Sequence, residues 1–230
     1  MPGLRGVMEV YWLEQTEADV PAAQDWLGAS EAAVLAALRF PKRRADWRLG
    51  RWTAKRAAAA YLHRSIAEVE IRAAADGAPD VFVAGAPAAV ALSLSHRAGV
   101  AVCAVAGAGA ALGCDVERIE PRSAAFVSDY LTTAEQALVE SAPADGRSAM
   151  LALLWSTKES VLKALRMGLR LDPRSTSVTL VDPPGAGPWR RLEARYEEQS
   201  FHGWWYRSGD LVRTVAAVPA PDVPRRLDPV

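Results

Sequence analysis

The 230-residue chain reads as an α+β protein of two similar lobes. Three observations support this. Each half holds runs with helical spacing followed by apolar runs that look like antiparallel strands. The regular strand–helix alternation of a doubly wound sheet is missing. Near the middle, Gly107-Ala108-Gly109-Ala110 offers a flexible joint, dividing an N-terminal lobe (1–109) from a C-terminal lobe (110–230). No repeat in the sequence itself establishes the likeness of the halves.

In chain order, Val7 to Leu13 is predicted as a first strand. Trp26, Leu27, Val34, Leu35 and Leu38 have helical spacing, which predicts a helix over Trp26 to Leu38. Pro41 opens a second helix running to about His63. A turn is expected over Ala73 to Pro79, around Asp76-Gly77. Strands are expected over Val81 to Val83, Ala89 to Ser95 and Gly99 to Ala106, the last two joined near Arg97-Ala98-Gly99.

The second half opens with a strand over Ala111 to Glu117. Thr132 or Thr133 caps a helix whose first turn carries Glu135. Gly146 precedes a long helix from about Ser148 to Met167, which Gly168 ends. Ser177 to Val181 is a strand, and Asp182-Pro183-Pro184-Gly185 a break. Phe201 to Arg207 and Leu211 to Val218 form a hairpin through Ser208-Gly209-Asp210. The Pro-rich tail after Pro219 is expected to fray.

Half of the residues are apolar, so a sizeable core is expected and whole-chain disorder is not. With 27 basic and 27 acidic residues, global charge gives no reason for nucleic-acid binding. Cys103 and Cys114 read as small buried hydrophobes of a reducing compartment rather than a disulfide framework. No signal pattern and no membrane-spanning apolar run is found, so the expectation is a soluble cytoplasmic protein without a membrane partner.

Two acidic motifs carry the chemistry. In Gly113-Cys114-Asp115-Val116-Glu117, a strand projects Asp115 and Glu117 to one face. In Trp155-Ser156-Thr157-Lys158-Glu159-Ser160-Val161-Leu162-Lys163, a helix places Glu159 and Lys163 four residues apart on one face, with Trp155 a turn before. Three carboxylates and an amine can thus converge on one point, and such oxygens suit Mg²⁺ held together with substrate phosphates. Taken alone, the first motif is also a common solvated strand end. The second is also an ordinary helix-stabilising pair.

Between Arg39 and Arg56 stand eight basic residues and one acid, Asp46. Arg44, Arg48, Arg51 and Lys55 share a helical face. It is either a solvated face or an anion site, since arginine forks match phosphate geometry. Trp47 and Trp52 are expected in the core on another face. Ser95 and His96 end the strand Ser93-Leu94-Ser95-His96, where they can offer donors to a phosphate. Lys158, on a different helix face from Glu159, is read as a surface residue or a further phosphate contact.

In this order and spacing the chain resembles the 4′-phosphopantetheinyl transferases of the longer, two-lobed Sfp type. The segments that carry the resemblance are Arg44 to Arg51, Ser93 to His96, Gly113 to Glu117, and Trp155 to Lys163. The resemblance implies a pseudo-dimer of two α+β lobes with the active site in the cleft between them. It implies transfer of the phosphopantetheine arm of coenzyme A to a serine of an apo acyl- or peptidyl-carrier protein, with release of adenosine 3′,5′-bisphosphate. The carriers would be those of fatty-acid, polyketide or nonribosomal-peptide synthesis, and the enzyme a monomer.

By resemblance Asp115, Glu117 and Glu159 match the Mg²⁺ ligands, with Mn²⁺ an alternative. Arg44, Arg48, Arg51 and His96 match positions that hold the phosphates of coenzyme A, and Lys163 matches the lysine near the pyrophosphate; Ser95 and Lys158 are counted with them as coenzyme A contacts on their own placement. Glu159, or a water that it and the metal orient, is the expected base, with Lys163 and His96 offsetting charge on the leaving phosphate. One departure is clear: the family's Gly-Lys-Pro appears as Gly77-Ala78-Pro79, and Arg72 is a nearby basic residue. Two other readings are a metal-dependent nuclease, against which the motif order and neutral charge speak, and a non-catalytic carrier-binding protein, against which the three carboxylates speak.

Overall fold

A computed structural model describes residues 8–181 and 188–228. The first half runs β1 (Val10–Thr16), α1 (Ala29–Ala37), α2 (Pro41–Leu62), β2 (Val69–Ala73), β3 (Pro79–Val83), β4 (Ala86–Pro87), β5 (Val90–Arg97) and β6 (Val100–Gly107). The second runs β7 (Ala111–Arg118), α3 (Ala124–Tyr130), α4 (Thr133–Ser141), α5 (Arg147–Ala164), β8 (Thr176–Leu180), β9 (Arg190–Tyr196), β10 (Gln199–Ser208), β11 (Leu211–Val218) and β12 (Arg225–Arg226). The chain is α+β, as expected. Among the described residues no helix is long and apolar enough to cross a membrane.

Among the described residues three sheets form, in the orders β12-β1-β6-β5, β7-β11-β10-β9-β8 and β2-β3-β4. In the first, β5, β6 and β1 pair antiparallel. The second is antiparallel throughout. The apolar faces of the first two sheets share a core of Val10, Trp12, Val102, Ala104, Leu112, Cys114 and Val215. The long helices cover the opposite faces, α2 through Ala54, Ala57 and Ala58 and α5 through Leu154 and Val161. Cys103 and Cys114 are buried free thiols.

Local chemistry explains the boundaries. Pro41 occupies the first turn of α2, and His63 closes the helix in the left-handed region at φ 52°. Thr132 caps α4, its hydroxyl accepting from Glu135 N at 3.3 Å while its own N–H donates to Glu135 Oε2 at 2.8 Å. The β5–β6 turn uses positive φ at Ala98 and Gly99, which matches the twist of the two strands.

Each half repeats one buried device. In α1, Glu31 accepts from Gly28 N at 2.9 Å, from Lys55 of α2 at 2.7 Å and from Ile71 N of β2 at 3.0 Å. In α4, Glu135 accepts from Thr132 N, stands 2.9 Å from Lys158 of α5, and accepts from Val178 N of β8 at 3.0 Å. A helix-capping glutamate thus ties a long helix to the following strand in both halves.

Several expectations are corrected. The first helix begins at Ala29, because Trp26 turns aside to donate to Ala23 O and to pack edge-on against Trp52. The long helix ends at Ala164, not Met167, and Arg166 already has a left-handed φ of 57°. The described tail after Pro219, to Asp228, is not frayed: β12 pairs parallel with β1, Leu227 is buried and its N–H donates to Trp12 O at 2.7 Å. The open edge of β1 supplies the reason, since unpaired ladder groups there are satisfied by the returning chain. β2, α3 and β9 were not expected. Val7 and the Asp182-Pro183-Pro184-Gly185 break lie outside the described residues.

Candidate active site

The glycine of the first motif sets the site. A Cβ on Gly113 would stand 1.7 Å from the Ser160 carbonyl oxygen, so only glycine lets β7 lie directly on α5. Strand alternation then turns Asp115 and Glu117 to the same side. From α5, Lys163 Nζ donates to Asp115 Oδ1 at 2.7 Å and to Cys114 O at 3.1 Å. Trp155, a little over two turns earlier, donates Nε1–H to Glu117 Oε1 at 3.1 Å. The two motifs therefore meet through Lys163 on Asp115 and Trp155 on Glu117.

The first half contributes from β5. Ser95 Oγ donates to Asp115 Oδ1 at 2.7 Å, and Ser93 Oγ accepts the Cys114 N–H at 2.9 Å. Asp115 is only 4% exposed, and its second oxygen, Oδ2, has no hydrogen-bond partner. Glu117 is bracketed by Arg122 at 3.1 Å and Arg97 at 3.6 Å. The Glu159 carboxylate carries no hydrogen bond among the described residues.

Electrostatics follow from this crowding. Burial lifts the Glu159 carboxyl to about 7, against the pull of Lys163 and with the charges of Asp115 and Glu117 adding to the rise. Burial, then Asp115, also raises Glu117, opposed by Arg97 and Arg122. For Lys163 burial works against the ammonium, but Asp115 and its other partners more than offset it and the pKa is raised. His96 has an exposed edge at the cleft mouth, yet the surrounding protein desolvates it enough to lower its pKa, with Asp46 opposing.

A cleft opens beside this cluster in two arms that meet at Leu94 and Lys163. One, ≈ 330 Å³, is lined by Arg51, Arg72, Ser95, His96 and Lys163. The other, ≈ 290 Å³, runs along the β2–β3 turn, with Ala78, Lys163 and Arg166 on its walls. Arg72 packs over Phe82 at 4.1 Å and donates to Glu70 at 3.0 Å, so a guanidinium does stand on the cleft wall near Ala78. Arg166 ties the end of α5 to that turn through Asp76 at 2.7 Å and Asp80 at 3.2 Å.

The basic face of α2 divides. Arg51 reaches the cleft, donates to Ile71 O and stacks over Trp47 at 4.8 Å. Arg44 instead holds the last carbonyls of α1, Leu35 O at 2.6 Å and Leu38 O at 3.1 Å. Arg48 holds Pro21 O and Ala22 O. Lys55 is buried on Glu31. The expectation for Lys158 is corrected: it is fully buried, bonded to Pro173 O, Thr176 O and Glu135, and is neither a surface residue nor placed to touch a phosphate. Ser95 spends its hydroxyl hydrogen on a carboxylate.

Sequence reasoning missed Ser93, Arg97, Arg122 and Arg166. For Ser93 the signal was present, since Ser93 and Ser95 share a strand face. The arginines come from loops and a helix end, where no periodicity marks them.

As they stand, no three His, Cys, Asp or Glu side chains among the described residues close around one point to hold a metal ion. The donor chemistry nonetheless fits a hard cation. Asp115 offers a buried oxygen without a partner among the described residues, and Asp115 and Glu117 stand close enough to help raise the Glu159 carboxyl.

Residues 111–216 match the family model described as the 4′-phosphopantetheinyl transferase superfamily. That stretch runs from the start of β7 into β11 and contains both acidic motifs. Among solved structures, a holo-(acyl-carrier-protein) synthase from Bacillus anthracis str. Ames in complex with CoA (3′,5′-ADP) is similar at 21% identity, over 45% of this chain and 100% of that one, with a TM-score of 0.37. A comparison with curated proteins finds no match.

Proposed function

We propose that this chain transfers the phosphopantetheine arm of coenzyme A to a serine hydroxyl of an apo carrier protein, releasing adenosine 3′,5′-bisphosphate. The observation that carries the reading is the junction of Asp115 and Lys163, inside the segment that matches the superfamily, with a cationic cleft to which the first half brings Arg51, Arg72 and His96. Support for the two-lobed type, with lobes of residues 1–109 and 110–230, comes from the glutamate–lysine–strand device repeated in each half. The residues facing one another from β5 and β7 make a single chain self-sufficient, so a monomer is proposed.

Asp115, Glu117 and Glu159 would hold Mg²⁺, or Mn²⁺, through carboxylate oxygens. When bound, the ion neutralises charge on the pyrophosphate. Arg51 and His96 line the arm that would take the phosphates, and Lys163, kept protonated by Asp115, offsets charge on the leaving 5′-phosphate. The carrier serine oxygen bonds to the β-phosphorus as the bond to the bridging oxygen breaks. Glu159, or a water that it orients, would take the hydroxyl proton.

The test is intact-protein mass spectrometry of apo carrier proteins incubated with the chain, coenzyme A and Mg²⁺. A gain of one phosphopantetheinyl group, abolished by EDTA, is expected. No gain on fatty-acid, polyketide or peptide-synthetase carriers would overturn the reading.

A further inference from the structure

Ser93 and Ser95 lie on one face of β5, turned toward β7, and each bonds to the acidic motif of the other half. Ser93 satisfies the Cys114 N–H, which fixes the strand, and Ser95 reaches the functional carboxylate. Both donors to Asp115, Ser95 Oγ and Lys163 Nζ, converge on the same oxygen, Oδ1, each at 2.7 Å. Oδ2 is buried and receives no hydrogen bond among the described residues. An ionised carboxylate has about four acceptor sites, so crowding two donors on one oxygen while starving the other is a costly way to bury it.

The cost is explained if Oδ2 is reserved. Oδ1 is held from two directions, by a short side chain on β5 and by a long one on α5, so the carboxylate plane is fixed. Without the Ser95 hydroxyl, Lys163 alone holds the group. The carboxylate can then turn to share both oxygens with the ammonium, and Oδ2 is lost to it.

We propose that Ser95 is a positioning residue, which pins Asp115 by Oδ1 and so keeps Oδ2 for a divalent cation. This rests on the metal reading above and assigns the setting of a second-half ligand to a strand of the first half.

The experiment is an electron paramagnetic resonance titration of the full chain with Mn²⁺, with and without coenzyme A, alongside coenzyme A binding in metal-free buffer. Ser95→Ala should weaken Mn²⁺ binding about 10- to 100-fold, as loss of an outer-shell partner does. Its coenzyme A affinity in metal-free buffer should fall by far less than its Mn²⁺ affinity. Ser95→Thr, which keeps the hydroxyl, should recover most of the loss. If the alanine variant does not fold, Ser95→Cys, with its weak donor, takes its place with the same expectation.

Wild-type Mn²⁺ affinity in Ser95→Ala would overturn the positioning role and leave the metal reading standing. Weaker coenzyme A binding with unchanged Mn²⁺ binding would also overturn it, making Ser95 a phosphate donor instead. Absence of Mn²⁺ binding by the wild type, or equal binding by Asp115→Asn, would overturn the metal reading itself, and the role of Ser95 with it.

Discussion

Lys158 Nζ lies 2.9 Å from Glu135 with no part of the lysine exposed, and Lys55 stands to Glu31 in the same way in the other half. The lysine inside the Trp-x-x-Lys-Glu segment is therefore a framework residue. Two backbone carbonyls take its other hydrogens, so the ammonium is fully satisfied away from water.

Removing one member of such a pair leaves an uncompensated buried charge, which costs about 3–5 kcal/mol. Lys158→Ala should lower the urea unfolding midpoint accordingly, while Lys158→Met, apolar and of similar length, should cost less. Coenzyme A affinity per folded molecule should be unchanged in either. A specific loss of coenzyme A affinity with normal stability would return Lys158 to the binding site.

Gly113→Ala should be among the most damaging single substitutions in the chain. The new Cβ meets backbone, not a movable side chain, at 1.7 Å from Ser160 O. β7 must lift off α5, which costs more than the ~1–3 kcal/mol of ordinary overpacking. Calorimetry should show a large fall in Tm, and any folded fraction should lose the Asp115–Lys163 contact and with it the transfer activity.

These two residues also show what the sequence made legible. Gly113, Asp115 and Glu117 were readable because a strand's period of two fixes their common face, and Glu159 with Lys163 because a helix period does the same. Pro41 and Thr132 marked helix starts through local chemistry alone. Lys158 was misread because periodicity says which residues share a face, not whether a second element covers it; α4 and β8 bury the face that Lys158 occupies. Ser95 was singled out, but its partner lies twenty residues on, across a sheet junction that no local pattern encodes. The β12 pairing was invisible for the same reason, since only the unfilled edge of β1 calls for it.

The Glu159 carboxyl gives the metal-free protein a defined pH response. Its pKa of about 7 in the fold lies above the ordinary value of 4.5, so the folded state holds a proton that the unfolded chain releases earlier. Its contribution is fully present below about pH 4.5 and is lost as pH rises through about 7. Thermal unfolding in EDTA should show stability declining across that window, and Glu159→Gln should flatten the decline. If the glutamine variant shows the same slope as wild type, Glu159 is not the group responsible.

Arg51 and Arg44 sit less than two turns apart on α2 yet should respond differently to truncation. Arg51 lines the cleft with His96 and Lys163, where a guanidinium would meet a phosphate in both ground and transition states. Arg51→Ala and His96→Ala should therefore raise KM for coenzyme A more than they lower kcat. Arg44 donates to Leu35 O and Leu38 O, closing the end of α1, and its loss exposes those carbonyls rather than the substrate. Arg44→Ala should cost about 1 kcal/mol of stability or somewhat more, as a charge-assisted bond to backbone does, and leave KM alone. Steady-state kinetics at several coenzyme A concentrations, paired with denaturant unfolding of each variant, separates the two. An Arg44→Ala enzyme of normal stability with raised KM would show that both arginines face the substrate, and would widen the phosphate site along α2.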